Sequence, residues 1–507
     1  MGKEHSKGEH SDIRDGIEKE NTKKDTNKVG TNKDTNKVGT NEDTNKVSTK
    51  KDTNKVSTIK RDKSGMTDMT KGNAYKLIIY FSIPLLIGNV FQQLYNMVDS
   101  IVVGNYIGPA ALAAVGLGFP IIFLMSSFFM GVGIGTTTMI SQYYGAKEQD
   151  KVRMTIGTIY TSMLIAIIPF TLLCIFITDP LMNIMKVPQD AYSMARIYIM
   201  IVFAGLIGNF GYNINAGILQ GLGDSKTSLL FLSIAMVINI VLDIVFVVFL
   251  KIGVAGVAFA TVIAQLFSWM FGIIYINRRY RDLKIKPFTY IFDKSIFKQA
   301  IRLGIPSGVQ QALYSIGAII LQALINSYGS NFIAGYNGAN KIDTFAFMPM
   351  ASFSAAVTTY VGQNIGARKM DRVKAGTRAG LLLSIGACIF MAIVVFPFRA
   401  TLMGLFSSEP EVINAGVAYL NQVLPFFSLL AALFILNGVM RGAGEMTFPM
   451  ISAFVSLIVI RVPAAYIYAH FFGGHYMFFS YATGWLIGLI ITVIYYFSGR
   501  WKNKIII

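Results

Sequence analysis

Asp99 and Asp243 lie inside long apolar stretches, and the chemistry of the chain begins with them. A charge in hydrocarbon costs roughly 2.5–3.5 kcal/mol on insertion scales, so each instance needs a reason. Asp99 ends a polar series of Gln92, Tyr95, Asn96 and Asp99. Those residues recur at three- and four-residue steps, which puts them on one stripe of a helix. Asn239 and Asp243 are four apart, as are Thr261 and Gln265, so each pair stacks on one helical face. Asn209, Asn213 and Asn215 add amides in a further apolar stretch. If these stretches pack together, they enclose an oxygen-lined pocket holding two carboxylates.

Two chemistries suit such a pocket. Carboxylate, amide and hydroxyl oxygens are ligands for hard cations, and Na⁺ fits Asp99, Asn239 and Asp243 by that logic. Two carboxylates side by side can instead hold and release one proton between them. A plain structural use is also open, in which the polar groups join helices by hydrogen bonds. No other metal and no organic cofactor is expected. The second half of the chain offers less. Asp343, two residues from Lys341, is the one acid read within its apolar runs. Arg461 stands before Val462-Pro463. It serves either as an anchor for carbonyls that Pro463 leaves free or as a charge partner for Asp343.

Elements that could position these groups are legible as apolar runs. Twelve are long enough to cross a bilayer: 75–103, 112–141, 153–178, 191–220, 226–250, 254–277, 296–326, 332–362, 374–398, 412–440, 447–470 and 476–498. Each span needs about 20 residues. The chain is 53% hydrophobic and 14% charged, with a mean hydropathy of +0.52. That composition predicts an all-α polytopic membrane protein in a lipid bilayer. Lys147, Lys151, Arg153, Lys226, Arg278, Arg279, Arg281, Lys284, Arg368, Lys369 and Arg441 all follow even-numbered runs. Arg500, Lys502 and Lys504 do the same after the last. The opposite loops 104–111, 179–190 and 327–331 hold only Lys186 by the same reading. Short basic loops face the cytoplasm, so both termini are expected there and the chain is expected in the cell membrane.

The halves repeat. Pro84 recurs as Pro306, Gln142-Tyr143-Tyr144-Gly145-Ala146-Lys147 as Gln363-Asn364-Ile365-Gly366-Ala367-Arg368, and Gly221-Leu222-Gly223-Asp224 as Gly442-Ala443-Gly444-Glu445. An even number of spans per half makes the repeats parallel. Pro120, Pro349, Pro425 and Pro463 add breaks at which helices can bend. An offset of 222 takes Asp99 to Leu321, Asn239 to Arg461 and Asp243 to Ala465, so the acids belong to the first half alone. The predicted organisation is a tail over 1–72, a first lobe over 73–285 and a second lobe over 286–507, with six spans in each lobe. Membrane proteins built this way are most often secondary transporters.

At these residues the chain resembles the multidrug and toxic compound extrusion family over about residues 74–498. The motifs that carry the resemblance are Gln142 to Ala146 with its echo Gly362 to Ala367, Gln220 to Asp224 with Arg441 to Glu445, Asn239 to Asp243, and Arg461 to Pro463. The resemblance implies a V-shaped pair of six-helix bundles that exchanges organic cations for Na⁺ or H⁺ by alternating access. It also implies cation-coupling roles for Asp99, Asn213, Asn239, Asp243 and Thr261. Gln92 and Tyr95 match polar neighbours in the same span. One branch of the family uses further acids in spans 7 and 10. Tyr314 stands near the first of those positions here, and span 10 has no acid.

Other functions fit less well. A lipid-linked oligosaccharide flippase needs a basic lumen for pyrophosphate, and bases within the runs are scarce beyond Lys341 and Arg461. A membrane enzyme needs a nucleophile–base or metal constellation. His5 and His10 lie in the tail, and His470 and His475 border a loop. No Gly-x-x-x-x-Gly-Lys appears, so direct ATP use is not expected. Net charge +18 does not point to nucleic acid, because the bases sit between apolar runs. No cleavable leader and no obligate partner chain is expected, and the protein reads as a monomer. Residues 1–72 hold 13 of 27 acids and 17 of 45 bases, and Asp-Thr-Asn-Lys-Val recurs from Asp25, Asp34, Asp43 and Asp52. Such a segment lacks apolar surface, so disorder is expected and removal of residues 2–70 is expected to leave transport unchanged.

Overall fold

A computed structural model describes residues 66–507 apart from Lys186 and Phe288. The period-nine repeat from Asp25, and the disorder expected there, lie outside the described residues. Twelve membrane helices follow, in two repeated bundles of six. Spans 1–3 are Ala74–Tyr106, Pro109–Gly145 and Gln149–Ile184. Span 4 is Gln189–Ala204 with Leu206–Gly221, bent by 51° at Gly205. Span 5 runs from Ser225–Asp243 into a π-helical turn, Ile244–Phe249, and span 6 is Val254–Arg279. Spans 7–9 are Lys294–Asn326, Ser330–Gly366 and Met370–Val395. Span 10 is Pro410–Val423 with Phe427–Ala443, broken at Leu424–Phe426 around Pro425. Span 11 is Thr447–Phe454, a π-helical stretch Val455–Arg461 and Val462–Phe472, and span 12 is Phe479–Phe497. Pro463 follows the π stretch and cannot donate the backbone bond that a regular helix needs there.

Length and hydropathy alone recover ten spanning helices, or eleven with the bent pair counted as one. Span 8 is 37 residues long yet fails on hydropathy, since Asn337, Asn340, Lys341 and Asp343 interrupt it. A polar span can persist in a membrane when its polar face is turned to protein or to a water-filled cavity.

The repeated motifs are the local devices that end and start helices. Lys147 and Arg368 adopt left-handed backbone (φ 63° and 57°) after spans 2 and 8. Gly223 and Gly444 do so after spans 4 and 10 (φ 85° and 88°), where a Cβ would be strained. The acid after each glycine then closes the next helix. Asp224 accepts from Thr227 N–H at 3.1 Å, and Glu445 accepts from Phe448 N–H at 2.9 Å. A tyrosine hydroxyl donates to the same acid in each bundle, from Tyr280 just after span 6 and from Tyr495 within span 12.

The bundles meet where both ends of the described chain lie, here termed the terminal face. A Cβ on Gly145 would fall 2.0 Å from the Gln363 carbonyl oxygen, and one on Gly366 would fall 2.0 Å from that of Gln142. The opposing atoms are backbone and cannot swing away. Gly145→Ala or Gly366→Ala should therefore lower the Tm of the purified protein by roughly 1–3 °C, reflecting overpacking of about 1–3 kcal/mol. An unchanged melting curve would remove this crossing from the fold's determinants.

The tail boundary at 72 needs correction. Thr67 is buried and Met69 is fully buried (0% exposed). Met69 N–H donates to Gln363 Oε1 at 2.9 Å, and its carbonyl accepts from Asn364 and Arg372 at 3.1 and 2.9 Å. The other end of the chain mirrors this. Ile506 N–H donates to Gln142 Oε1 at 3.0 Å. The other ends of the two glutamines donate to the equivalent carbonyls, Gln363 to Gly221 (3.2 Å) and Gln142 to Gly442 (2.9 Å). Each strap thus leaves one bundle and docks on the opposite one. Charge and repeats dominate the tail's composition, which hides seven residues of folded strap.

Candidate functional site

Span 1 places Asp99 one turn beyond Tyr95, and span 5 places Asp243 where its α-helix gives way to the π turn. Such turns often mark functional positions, because they re-aim side chains. Asp99 is 8% exposed and Asp243 is fully buried at 0%. The two carboxyls are close enough to interact electrostatically, and Tyr95 stands beside Asp99. Tyr95 Oη also lies 3.4 Å from Thr261 Oγ1, which ties span 6 to the pair. Asn239, one turn before Asp243, is 1% exposed.

What these groups lack defines the site. Both amide atoms of Asn239, both carboxylate oxygens of Asp243 and Oδ1 of Asp99 have no hydrogen-bond donor or acceptor. Five buried polar atoms without partners would be heavily destabilising if left so. Four of the five are acceptor oxygens, of the kind a small cation, or in part a proton bridging the two carboxyls, would satisfy. Among the described residues no three His, Cys, Asp or Glu side chains converge, so the donor set is two carboxylates with neutral oxygens. That set fits Na⁺ or H⁺.

The structure brings together Tyr95, Asp99, Asp243 and Thr261, with Asn239 beside them. Among the described residues no hydrogen bond joins the other expected residues to this group. Gln92 is exposed, and Asn96 donates to Gln93 at 3.1 Å. Asn213 donates to the Asn209 carbonyl at 2.8 Å and to its side chain at 3.3 Å, within span 4. Asn215 accepts from Tyr160 and donates to the Trp269 carbonyl, so it joins three spans as structural glue. Gln265 is half-buried one turn after Thr261. In the second bundle Leu321 and Ala465 are buried in the apolar core where the first has its acids. Asp343 accepts from the Tyr419 hydroxyl at 2.9 Å.

Tyr198 of span 4 is a site residue that sequence reasoning passes over. It packs against the cluster of Val102, Val103 and Val247, in the same spans as the two carboxylates. A single tyrosine with no polar neighbour one turn away leaves no periodic signal, and only the fold places it here.

Two repeated six-helix bundles with a carboxylate pair in one of them define a membrane transporter. The family model MatE matches residues 84–245 and again 306–467, one match per bundle. The chain belongs to this family. It is 30% identical over 437 residues to the probable multidrug resistance protein YpnP of Bacillus subtilis, covering 86% of this chain and 97% of that protein. To the probable multidrug resistance protein NorM of Thermotoga maritima it is 25% identical, covering 85% and 94%. Among solved structures it is similar to the crystal structure of MATE in complex with MaL6, with a TM-score of 0.80 and 25% identity over 86% of this chain and 98% of that one.

Proposed function

We propose that the protein exports amphipathic organic cations in exchange for Na⁺ or H⁺. The observation that carries this reading is the set of unpartnered oxygens at Asp99, Asn239 and Asp243. Occupied by the coupling cation, the pocket is satisfied and stable; emptied, it carries uncompensated negative charge. A cationic substrate lowers that penalty, so the ion and the substrate compete for one bundle. Export then follows if the terminal face faces the cytoplasm and closes while the coupling ion enters from outside. The lipid bilayer of the cell membrane and a monomeric state complete the reading. The names of the YpnP and NorM relatives, both multidrug resistance proteins, support the substrate class.

Ethidium efflux from vesicles under an imposed Na⁺ gradient, and separately under an imposed pH gradient, tests the coupling. One gradient should accelerate efflux at least threefold over its absence. If neither does, ion-coupled export is wrong.

Orientation has its own test. Cysteine at position 284 should be shielded from an impermeant maleimide in intact cells, and cysteine at position 183 should be labelled. Native Cys174 and Cys388 are both buried, so background labelling is expected to be low. The reverse pattern would invert the topology and the direction of transport.

A further inference from the structure

Arg461 ends the π-helical stretch of span 11 and is only 9% exposed. Its guanidinium lies 3.3 Å from the ring centroid of Tyr481. Nε has no hydrogen-bond partner, and among the described residues no hydrogen bond or ion pair engages the terminal nitrogens. Neither use expected from sequence is therefore realised. No carbonyl freed by Pro463 accepts from it, and Asp343 lies within its field without forming an ion pair. The Asp343 carboxylate is instead taken up by Tyr419. A buried, stacked guanidinium whose Nε–H has no partner lacks an acceptor.

The surroundings say what acceptor fits. Tyr336 Oη lies 3.3 Å from Tyr481 Oη and accepts from Asn340 at 2.9 Å. Tyr419 and Phe478 pack around Tyr336, which gives the site aromatic walls. Asn340, Asp343 and Thr344 are half-buried, so the cluster is not sealed along span 8. Arg461 and Asp343 together sum to no charge. A monoanion leaves one net negative charge in the bundle, whereas a phosphate dianion leaves two. A planar carboxylate also matches the guanidinium fork with two parallel bonds.

We propose that Arg461, backed by Tyr481 and flanked by Tyr336 and Asn340, is a subsite in the second bundle for the carboxylate of an aromatic substrate. The proposal rests on the transport reading for its purpose, and a binding measurement tests it separately.

Rhodamine B and its ethyl ester share one delocalised cation and differ only in the free carboxylate. Their binding to the full-length protein in lipid nanodiscs can be followed by fluorescence anisotropy. The wild type should bind the free acid at least fivefold more tightly than the ester, and excess benzoate should compete with the acid alone. Arg461→Gln should weaken the acid at least tenfold and the ester less than twofold. Arg461→Lys should fall between, since it keeps the charge and loses the fork. Equal weakening of acid and ester, no effect on either, or no wild-type preference for the acid would overturn the proposal. If Arg461→Gln does not fold, the wild-type acid–ester preference and the Arg461→Lys variant decide. Loss of ion coupling with this preference intact would sink the export reading and leave the subsite standing.

Discussion

Asp243→Asn should abolish gradient-driven efflux and leave the protein at least as heat-stable as the wild type. Both halves of that result follow from the unpartnered oxygens. The two carboxyls face each other with no donor between them. An amide at position 243 brings an N–H donor to Asp99 and removes one of two like charges. Satisfying a buried acceptor is worth about 1 kcal/mol or more, so the Tm should hold or rise by about a degree. An amide does not exchange protons at neutral pH and holds Na⁺ less strongly than a carboxylate, so coupling should fall to background. Asp99→Asn should behave alike. Asp343→Asn should cost less than threefold, because Tyr419 already serves that carboxylate and the second bundle has no paired acid. Ethidium efflux, with expression matched by blotting, and a thermal melt of each variant read both predictions. If Asp343→Asn stops coupling while Asp99→Asn does not, the cation site belongs in the second bundle. A Tm that drops sharply in Asp243→Asn would make the pair structural instead.

Much of this site is legible in the chain because membrane burial makes polar residues conspicuous. Asp99, Asp243 and Asn239 stand out against apolar runs, and their four-residue spacing fixes their faces. The repeat offset then separates scaffold from function, since Gly223 and Gly444 recur while Asp99 and Asp243 do not. Other features stay hidden for physical reasons. Tyr198 has no polar partner in its own span. Asn213 shares the amide chemistry of a ligand, yet its hydrogen bond to the Asn209 carbonyl is an ordinary use of an asparagine in a helix. Span 8 falls below a simple hydropathy threshold because of its polar residues, yet it still reads as an apolar run over 332–362, and its repeat relation to span 2 supports that reading. The Arg461 site draws tyrosines from spans 8, 10 and 12, which no local window connects.

Removal of residues 2–60 should be silent, and removal of residues 2–70 should cripple transport. The sequence predicts no effect for either deletion; the structure separates them at Met66. Residues 67–72 bind the opposite bundle through Met69, Thr70 and Gly72, whose backbone engages Gln363, Asn364, Lys369 and Arg372. The contact at Gly223 is close enough that a Cβ there would meet the Thr67 carbonyl at 2.4 Å. Losing the strap strips acceptors from Arg372 and empties the pocket of Met69. Each lost bond is worth about 0.5–1.5 kcal/mol and the buried methionine about 1.5–3 kcal/mol. If the bundles part at the terminal face during the transport cycle, that sum falls on the conformation in which the face is closed. Alternating access needs both conformations near balance, so a bias of even 2–3 kcal/mol shifts their ratio by roughly 30- to 150-fold. Efflux should therefore fall at least tenfold in the longer deletion, with a lowered Tm, and remain within twofold in the shorter one. Met69→Ala should give an intermediate loss, and replacing Gln142, which holds the mirror strap at Ile506, should resemble the longer deletion. Equal efflux from both deletions would show that the strap covers the terminal face without helping to close it.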